Sequence, residues 1–256
     1  MPNLFDLTGK SALITGSSKG IGKAIAYRLA EHGANVVISS RKADACEAVR
    51  DEINQKLARK AAISIPANIA SKEALEHLVA ETDKAFGKID ILVCNAASNP
   101  YFGPMAGMSD EQFDKILKNN IVSNHWLISM VAPQMRARKD GAIIIVSSIG
   151  GLRGTNVLGA YAISKAADMQ LARNLALEFG PDNVRVNTIA PGLIKTDFAR
   201  ALWENPDILK ASTERAPLKR IGEPDEIAGM AVFLAAPAGS FTTGQTFVID
   251  GGQTVV

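Results

Sequence analysis

Tyr161 and Lys165, in the run Tyr161-Ala162-Ile163-Ser164-Lys165, are well suited to move a proton. Four positions apart on a helix, they share one face. A phenol has a reference pKa of about 10, too high for easy exchange near pH 7. A neighbouring ammonium stabilises the phenolate and brings that value down. Reaching 7 takes about 3 pH units, or about 4 kcal/mol of differential stabilisation. Tuned in this way, Tyr161 donates a proton as a carbonyl becomes an alkoxide and takes one back in reverse. Ser147-Ser148 closes the apolar run 142–146 and offers a hydroxyl to hold and polarise the same oxygen. A Y-x-x-x-K pair alone is common on surfaces, so its surroundings have to decide.

The second chemical feature is Thr15-Gly16-Ser17-Ser18-Lys19-Gly20-Ile21-Gly22. Gly16 allows a tight exit from a strand. Gly20 and Gly22 remove side chains where backbone approaches a ligand or packs closely. Exposed N–H groups and the start of a helix then face an anion such as a pyrophosphate. The spacing is G-x-x-x-G-x-G rather than the G-x-G-x-x-G of the usual dinucleotide fingerprint. A site specific for NAD ends the second strand with Asp or Glu on the ribose 2′-hydroxyl. This chain has Ser39-Ser40-Arg41-Lys42 there. Arg41 can grip a 2′-phosphate in bidentate fashion, with Lys19 as a second cation. At roughly 1.5–3 kcal/mol per charge-assisted bond, two such bonds separate the cofactors by about two orders of magnitude or more. The expected cofactor is NADP(H). The plainer reading makes Arg41 and Lys42 solvated residues opening a loop, but the missing carboxylate favours NADP independently.

Seven short apolar, largely β-branched runs can position these groups: 11–14, 35–38, 62–65, 89–93, 142–146, 184–189 and 246–249. Continuous apolar runs suit strands covered on both faces. Helical patterns at 21–32, 43–60, 71–86, 109–138 and 156–179 lie between them, with a last helix starting at Pro224. Ser109-Asp110-Glu111-Gln112 is a capping box, and Pro133 is expected to kink or interrupt the helix it opens. The alternation predicts an α/β fold: one doubly wound, parallel, seven-stranded sheet with right-handed crossovers. No repeat or linker divides the chain, so residues 1–256 are expected to form one domain.

Composition excludes other classes. The 256 residues carry 28 Lys+Arg and 26 Asp+Glu, a formal net charge of +2, which gives no argument for a nucleic-acid or anionic-membrane partner. Cys46 and Cys94 cannot build a disulfide framework and lie in no CxxC pattern. His32, His77 and His125 have no metal-ligand spacing, so no metal is expected. The start Met1-Pro2-Asn3-Leu4-Phe5-Asp6 does not read as a signal peptide, and no apolar stretch approaches the ~18 residues of a membrane span. The expected setting is cytoplasmic.

Taken together, the motifs resemble those of the classical short-chain dehydrogenase/reductase family over nearly the whole chain. The resemblance rests on the glycine turn, Asn95-Ala96-Ala97, Ser148, Tyr161-x-x-x-Lys165, Asn187, Pro191-Gly192 and Asp250-Gly251-Gly252. It implies a Rossmann-type domain and oxidoreductase activity. It selects Ser148, 13 residues before Tyr161, over Ser147, and Asn120 over Asn119. The implied catalytic set is Asn120, Ser148, Tyr161 and Lys165. Tyr161 and Lys165 would also belong to the cofactor-binding set, Lys165 by bonding the nicotinamide ribose, and the Asn120 carbonyl would hold a water in a proton relay to Lys165. The implied cofactor-binding residues are Gly16, Ser18, Lys19, Gly20, Ile21, Gly22, Ser40, Arg41 and Lys42. Asn68 and Ile69 would flank the adenine, and Asn95 and Ala96 would line the cofactor. Pro191, Gly192, Ile194 and Thr196 would close over the nicotinamide. Two positions depart from the common pattern: Asn68 where many members have Asp, and Ala97 where Gly is usual.

The segment 195–215 is expected to be a flap over the substrate. Tyr101, Phe102, Met105, Phe198, Leu202 and Trp203 suggest an apolar pocket for a small carbonyl or alcohol substrate. The chain also resembles NADP-dependent carbonyl and retinal reductases of the family, with 3-oxoacyl thioester reductases as the alternative. A catalytically silent NADP-binding protein is the reading from another class. By the same resemblance, a homotetramer is expected.

Overall fold

The seven apolar runs pair as strands because only a sheet covered on both faces buries side chains of both orientations. The computed structural model describes residues 3–256, apart from the side chain of Arg215. The Met1-Pro2 start of the leader reading therefore lies outside the described residues. The strands are β1 (Ser11–Thr15), β2 (Asn35–Ser39), β3 (Ala62–Ser64), β4 (Ile91–Cys94), β5 (Gly141–Val146), β6 (Val184–Pro191) and β7 (Thr246–Ile249). All pair in parallel in the order β3-β2-β1-β4-β5-β6-β7. The expected doubly wound sheet is therefore present.

Alternation along each strand splits the core into two layers. Ile14, Ile38, Val93 and Ile144 pack on one face with α1 (Gly20–Glu31), α2 (Ala43–Leu57) and α9 (Pro224–Ala235). Leu13, Val37, Leu92 and Ile143 pack on the other with α3 (Lys72–Phe86), α5 (Ser123–Arg138) and α6 (Gly159–Phe179). Burial of this kind is worth about 25 cal/mol per Å² of apolar surface. The direction in which successive strands are added to the sheet reverses between β1 and β4. Loops after β1, β2, β4, β5 and β6 consequently open on one crevice at the carboxyl ends of the strands, where such folds bind ligands.

One helix differs from its expected form. The pattern 109–138 resolves into α4 (Asp110–Leu117), a π-helical turn over Lys118–Val122, and α5. The helix runs through Pro133 instead of breaking there. Pro133 and Ser129, whose carbonyl it leaves unpaired, are both exposed, so water can take the lost bond. The π turn displaces carbonyls that side chains then satisfy. Ser123 Oγ donates to Asn119 O at 2.6 Å, and Asn124 Nδ2 donates to Asn120 O at 2.7 Å. After β6 come α7 (Arg200–Trp203) and α8 (Pro206–Arg215), within the segment expected to form the flap. No described helix is long and apolar enough to cross a membrane, and no cluster of described side chains could hold a metal.

Candidate active site

α6 presents Tyr161, Lys165 and Asp168 along one stripe, because positions i, i+4 and i+7 share a helix face. Lys165 is only 2% exposed. Its Nζ donates to Val146 O, at the end of β5, and to Asp168 Oδ2, both at 2.9 Å. The same ammonium lies 5.7 Å from the Tyr161 ring centroid. Ser148 leaves β5 beside them, and its Oγ accepts from Gly150 N at 3.0 Å. A side chain at Gly150 would meet both Ser148 and Tyr161, so the two hydroxyl-bearing residues flank one gap. Phe198 closes the other side, with its ring centroid 6.1 Å from that of Tyr161.

The electrostatic balance differs from the simple two-residue expectation. Burial pushes the Tyr161 phenol up, Lys165 and then Ser148 pull it down, and Asp168 pushes it up again. The net direction for these protein groups is upward. Burial pulls the Lys165 ammonium down, but Asp168 and Tyr161 outweigh it and hold it above the ordinary lysine value. The direction favours the charged form of Lys165, and the carboxylate of Asp168 is its physical cause.

Asn120 joins the loop after β4 to α6. Its Nδ2 donates to Ser98 O and Ser164 Oγ, at 3.1 and 3.0 Å, and its Oδ1 accepts from Ser98 N at 2.8 Å. Its backbone carbonyl, the expected water holder, accepts from Asn124 Nδ2. Asn124 Nδ2 also donates to Asp168 Oδ1 at 3.0 Å. Neither Asp168 nor Asn124 is singled out by the sequence reading. The available signal was a carboxylate three residues beyond Lys165 on an otherwise apolar helix face.

The glycine turn has the backbone such chemistry needs. Gly16 and Gly20 hold φ of 65° and 56°, where L side chains are strained. A Cβ on Gly22 would lie 2.4 Å from Gly16 O, so only glycine lets α1 start there. Asn95 Nδ2 braces the turn by donating to Thr15 O and Gly16 O, at 2.9 and 3.1 Å. Ala96 N donates to Thr15 Oγ1 at 3.2 Å. Lys19, the N-cap of α1, offers no side-chain acceptor, and the first turn holds no acidic residue. No side-chain cap engages the first N–H groups of α1, which leaves them able to bind an anion. An uncapped helix start entered through glycines that leave no room for a Cβ fits a dinucleotide pyrophosphate.

The other expected cofactor residues are spread around the crevice mouth. Ser18 is half-buried within the turn, and Ile21 packs onto the core below it. Ser40 contacts Cys46 Sγ at 3.2 Å. Arg41 and Lys42 are exposed, and among the described residues no hydrogen bond or ion pair engages either side chain. Lys19 instead pairs with Asp197 at 3.3 Å. Asn68 is exposed and Ile69 half-buried after β3. Pro191 ends β6, and Gly192 N donates to Ile249 O at 2.9 Å. The Ile194 side chain is committed to the core at 5% exposure, and its backbone forms a bridge with Gly222. Thr196 approaches Gly20 and accepts at its carbonyl from Trp203 Nε1 at 2.8 Å. Asn187 is structural: it bonds Thr242 O and Gln245 N in the loop before β7.

A glycine-turned crevice facing a Ser–Tyr–Lys corner is matched by a family model described as enoyl-(acyl carrier protein) reductase, over residues 16–254. The chain belongs to the classical short-chain dehydrogenase/reductase family. As a member it is an oxidoreductase of a family that acts on CH–OH and carbonyl groups and binds a nicotinamide cofactor. It is 43% identical to dehydrogenase/reductase SDR family member 4 of Bos taurus over 247 residues, 96% of this chain and 88% of that protein. Among solved structures it is similar to gluconate 5-dehydrogenase from Burkholderia cenocepacia in complex with NADP and tartrate. That likeness has a TM-score of 0.94 at 30% identity, covering 99% of this chain and 98% of the other. It is likewise similar to 7α-hydroxysteroid dehydrogenase complexed with NADH and 7-oxo glycochenodeoxycholic acid. Here the TM-score is 0.93 at 38% identity, over 98% of both chains.

Proposed function

We propose that this short-chain dehydrogenase/reductase is NADP(H)-dependent and interconverts a ketone or aldehyde with its alcohol. The observation that carries the reading is the α6–β5 corner, where Tyr161, Ser148 and a charged Lys165 meet beside the anion cradle. When bound there, the nicotinamide supplies or accepts the hydride. Ser148 Oγ holds the substrate oxygen, and Tyr161 gives it the proton during reduction or removes it during oxidation. Lys165 stabilises the phenolate and has one N–H left for a ribose hydroxyl, since two of its three donors are engaged. Asn120 anchors the loop that carries Asn95 and Ala96 against α6.

The cradle of Gly16, Gly20 and Gly22 takes the pyrophosphate, with Ser18 and Ile21 beside it. Ser40, Arg41, Lys42 and Lys19 take the 2′-phosphate. Asn68 and Ile69 flank the adenine, and Pro191, Gly192, Ile194 and Thr196 cover the nicotinamide. The exposed pair of Lys19 with Asp197 is weak and yields to a phosphate. Because the two neighbours carry NADP in one case and NADH in the other, the preference needs its own test. Arg41→Ala should lower the NADPH/NADH ratio of kcat/KM by about tenfold or more, the worth of one charge-assisted bond. An unchanged ratio would remove Arg41 from the cofactor site.

Phe102, Met105, Leu152 and Phe198 are all exposed hydrophobics, which supports an apolar substrate beneath the segment 195–215 as a flap. NADPH oxidation followed at 340 nm against ketones, aldehydes and 3-oxoacyl thioesters tests the reading. Turnover confined to thioesters would favour the 3-oxoacyl reductase alternative. A flat response throughout would favour a silent NADP-binding protein. Buried free thiols at Cys46 and Cys94 support a reducing, cytoplasmic setting. A homotetramer is the proposed assembly, and a sedimentation mass equal to one 27.1 kDa chain would reject it.

A further inference from the structure

Lys19 sits in the glycine turn, and Asp197 lies at the start of the segment proposed to cover the substrate. Their side chains meet across 178 positions of sequence, with Lys19 Nζ donating to Asp197 Oδ2 at 3.3 Å. The backbone that carries Asp197 is well anchored. The Ile194 side chain is buried in the core, and Lys195 N donates to Gly222 O at 2.9 Å. Thr196 O accepts from Trp203 Nε1 at 2.8 Å, and Thr196 Cγ2 would lie 3.2 Å from a Cβ on Gly20. Asp197 Oδ1 is engaged as well, by Arg200 Nη2 at 2.5 Å. Arg200, and then Lys19, hold the Asp197 carboxyl below the ordinary aspartate value, so it is charged at neutral pH. Of the three cations assigned to a 2′-phosphate, Lys19 alone has a carboxylate partner among the described residues; Arg41 and Lys42 have none.

We propose that Asp197 is a cofactor-discriminating residue: it holds the Lys19 ammonium at the flap, so that NADP(H) has to displace a carboxylate which NAD(H) leaves in place. The inference rests on the proposed assignment of Lys19 to the 2′-phosphate. The two dinucleotides share the pyrophosphate and differ by that one group, so a competitor for Lys19 acts on one of them only. A phosphate monoester carries about −1.5 to −2 charge at pH 7, against the single charge of a carboxylate, so the exchange runs towards the phosphate. The pairing that is given up is still subtracted from the binding of NADP(H). Exposed ion pairs are worth little, so the subtraction is small. Arg200 shapes the exchange, because it keeps Asp197 paired after Lys19 has left. The same bridge ties the flap to the cofactor. While Lys19 stays on Asp197, the start of the flap is fastened to the glycine turn, and a 2′-phosphate that takes Lys19 releases it. No other described acidic side chain engages Lys19, and the first turn of α1 has none to replace Asp197.

The test is the affinity for NADPH and for NADH, each read by fluorescence titration without substrate, of the unchanged protein, Asp197→Asn, Lys19→Ala and the double variant. Asp197→Asn keeps the side-chain shape at an exposed position, so folding is not at stake. It should bind NADPH about two- to fivefold more tightly, the worth of one exposed ion pair, with NADH affinity unchanged. The gain should shrink at high salt and vanish in the Lys19→Ala background. Unchanged or weaker NADPH binding in Asp197→Asn overturns the proposal. An equal gain for both cofactors also overturns it, since that marks a general field of the carboxylate on the pyrophosphate. So does a gain that survives without Lys19. Lys19→Ala alone separates this inference from the reading beneath it. If that variant lowers NADPH affinity relative to NADH, the assignment of Lys19 stands and the Asp197 result decides. If it leaves the ratio unchanged, the assignment of Lys19 fails and takes the inference with it. No turnover is required, so an inert substrate panel would sink the proposed activity and leave this result readable.

Discussion

Tyr161→Phe is expected to lower kcat by about 10²–10⁴-fold, the usual contribution of a placed general acid–base. The variant removes one oxygen and keeps the ring that meets Phe198. Tyr161 is not part of the glycine turn, and the variant keeps its ring, so NADPH affinity should be largely retained. Fluorescence titration with NADPH should therefore give a near-normal Kd while steady-state turnover collapses. The loss should appear in kcat and in kcat/KM alike, since the missing bond matters in the transition state. A Tyr161→Phe enzyme with near-normal kcat would show that the proton comes from another group. Ser148 would then be the first to examine, since it flanks the same gap.

Lys165→Met should cost stability as well as activity. Removing one partner of a buried ion pair leaves the other uncompensated, at about 3–5 kcal/mol. Here the residue left behind is Asp168, whose carboxyl burial already pushes above the ordinary aspartate value, against Lys165 and Asn124. The sign of the pH dependence follows. A carboxyl with a raised folded-state pKa contributes its full stability below the unfolded value, about 3.9. That contribution is lost as the pH rises through the folded value. The urea midpoint of Lys165→Met should therefore lie nearest that of the unchanged protein at about pH 4 and fall away towards pH 7. Adding Asp168→Leu to Lys165→Met should restore the midpoint at neutral pH without restoring turnover. If the single variant were equally stable at both pH values, the pair would not carry the charges assigned to it.

Much of this was legible along the chain. Runs such as 142–146 have no polar alternation, so only a sheet covered on both faces could bury them, and β5 is buried throughout. The glycine spacing at 16, 20 and 22 announced a strand exit too tight for side chains, and Gly22 has no room for a Cβ. Tyr161 and Lys165 were readable as a pair because helix periodicity alone puts them on one face. Pro133 does not interrupt its helix, because the Ser129 carbonyl it leaves unpaired faces solvent, and exposure of that kind is settled only by packing.

What stayed hidden depends on residues distant in sequence. Asn124 and Asp168 are 44 positions apart, and Lys19 and Asp197 are 178 apart. No local period relates such residues, and their meeting follows from the order in which the strands lie side by side. The π turn is equally non-local: it persists because Asn120 and Asn124 find partners on α6 and in the loop after β4. The sequence by itself determined the layers, the cradle and the Tyr161–Lys165 pair, each set by spacing within one element. Tertiary structure alone decided that Lys165 shares its charge with Asp168, that Phe198 lies on Tyr161, and that Asn120 is tied to Asn124. Those contacts form only after separate elements pack, and in that low-dielectric interior a charge is governed by the partner it meets.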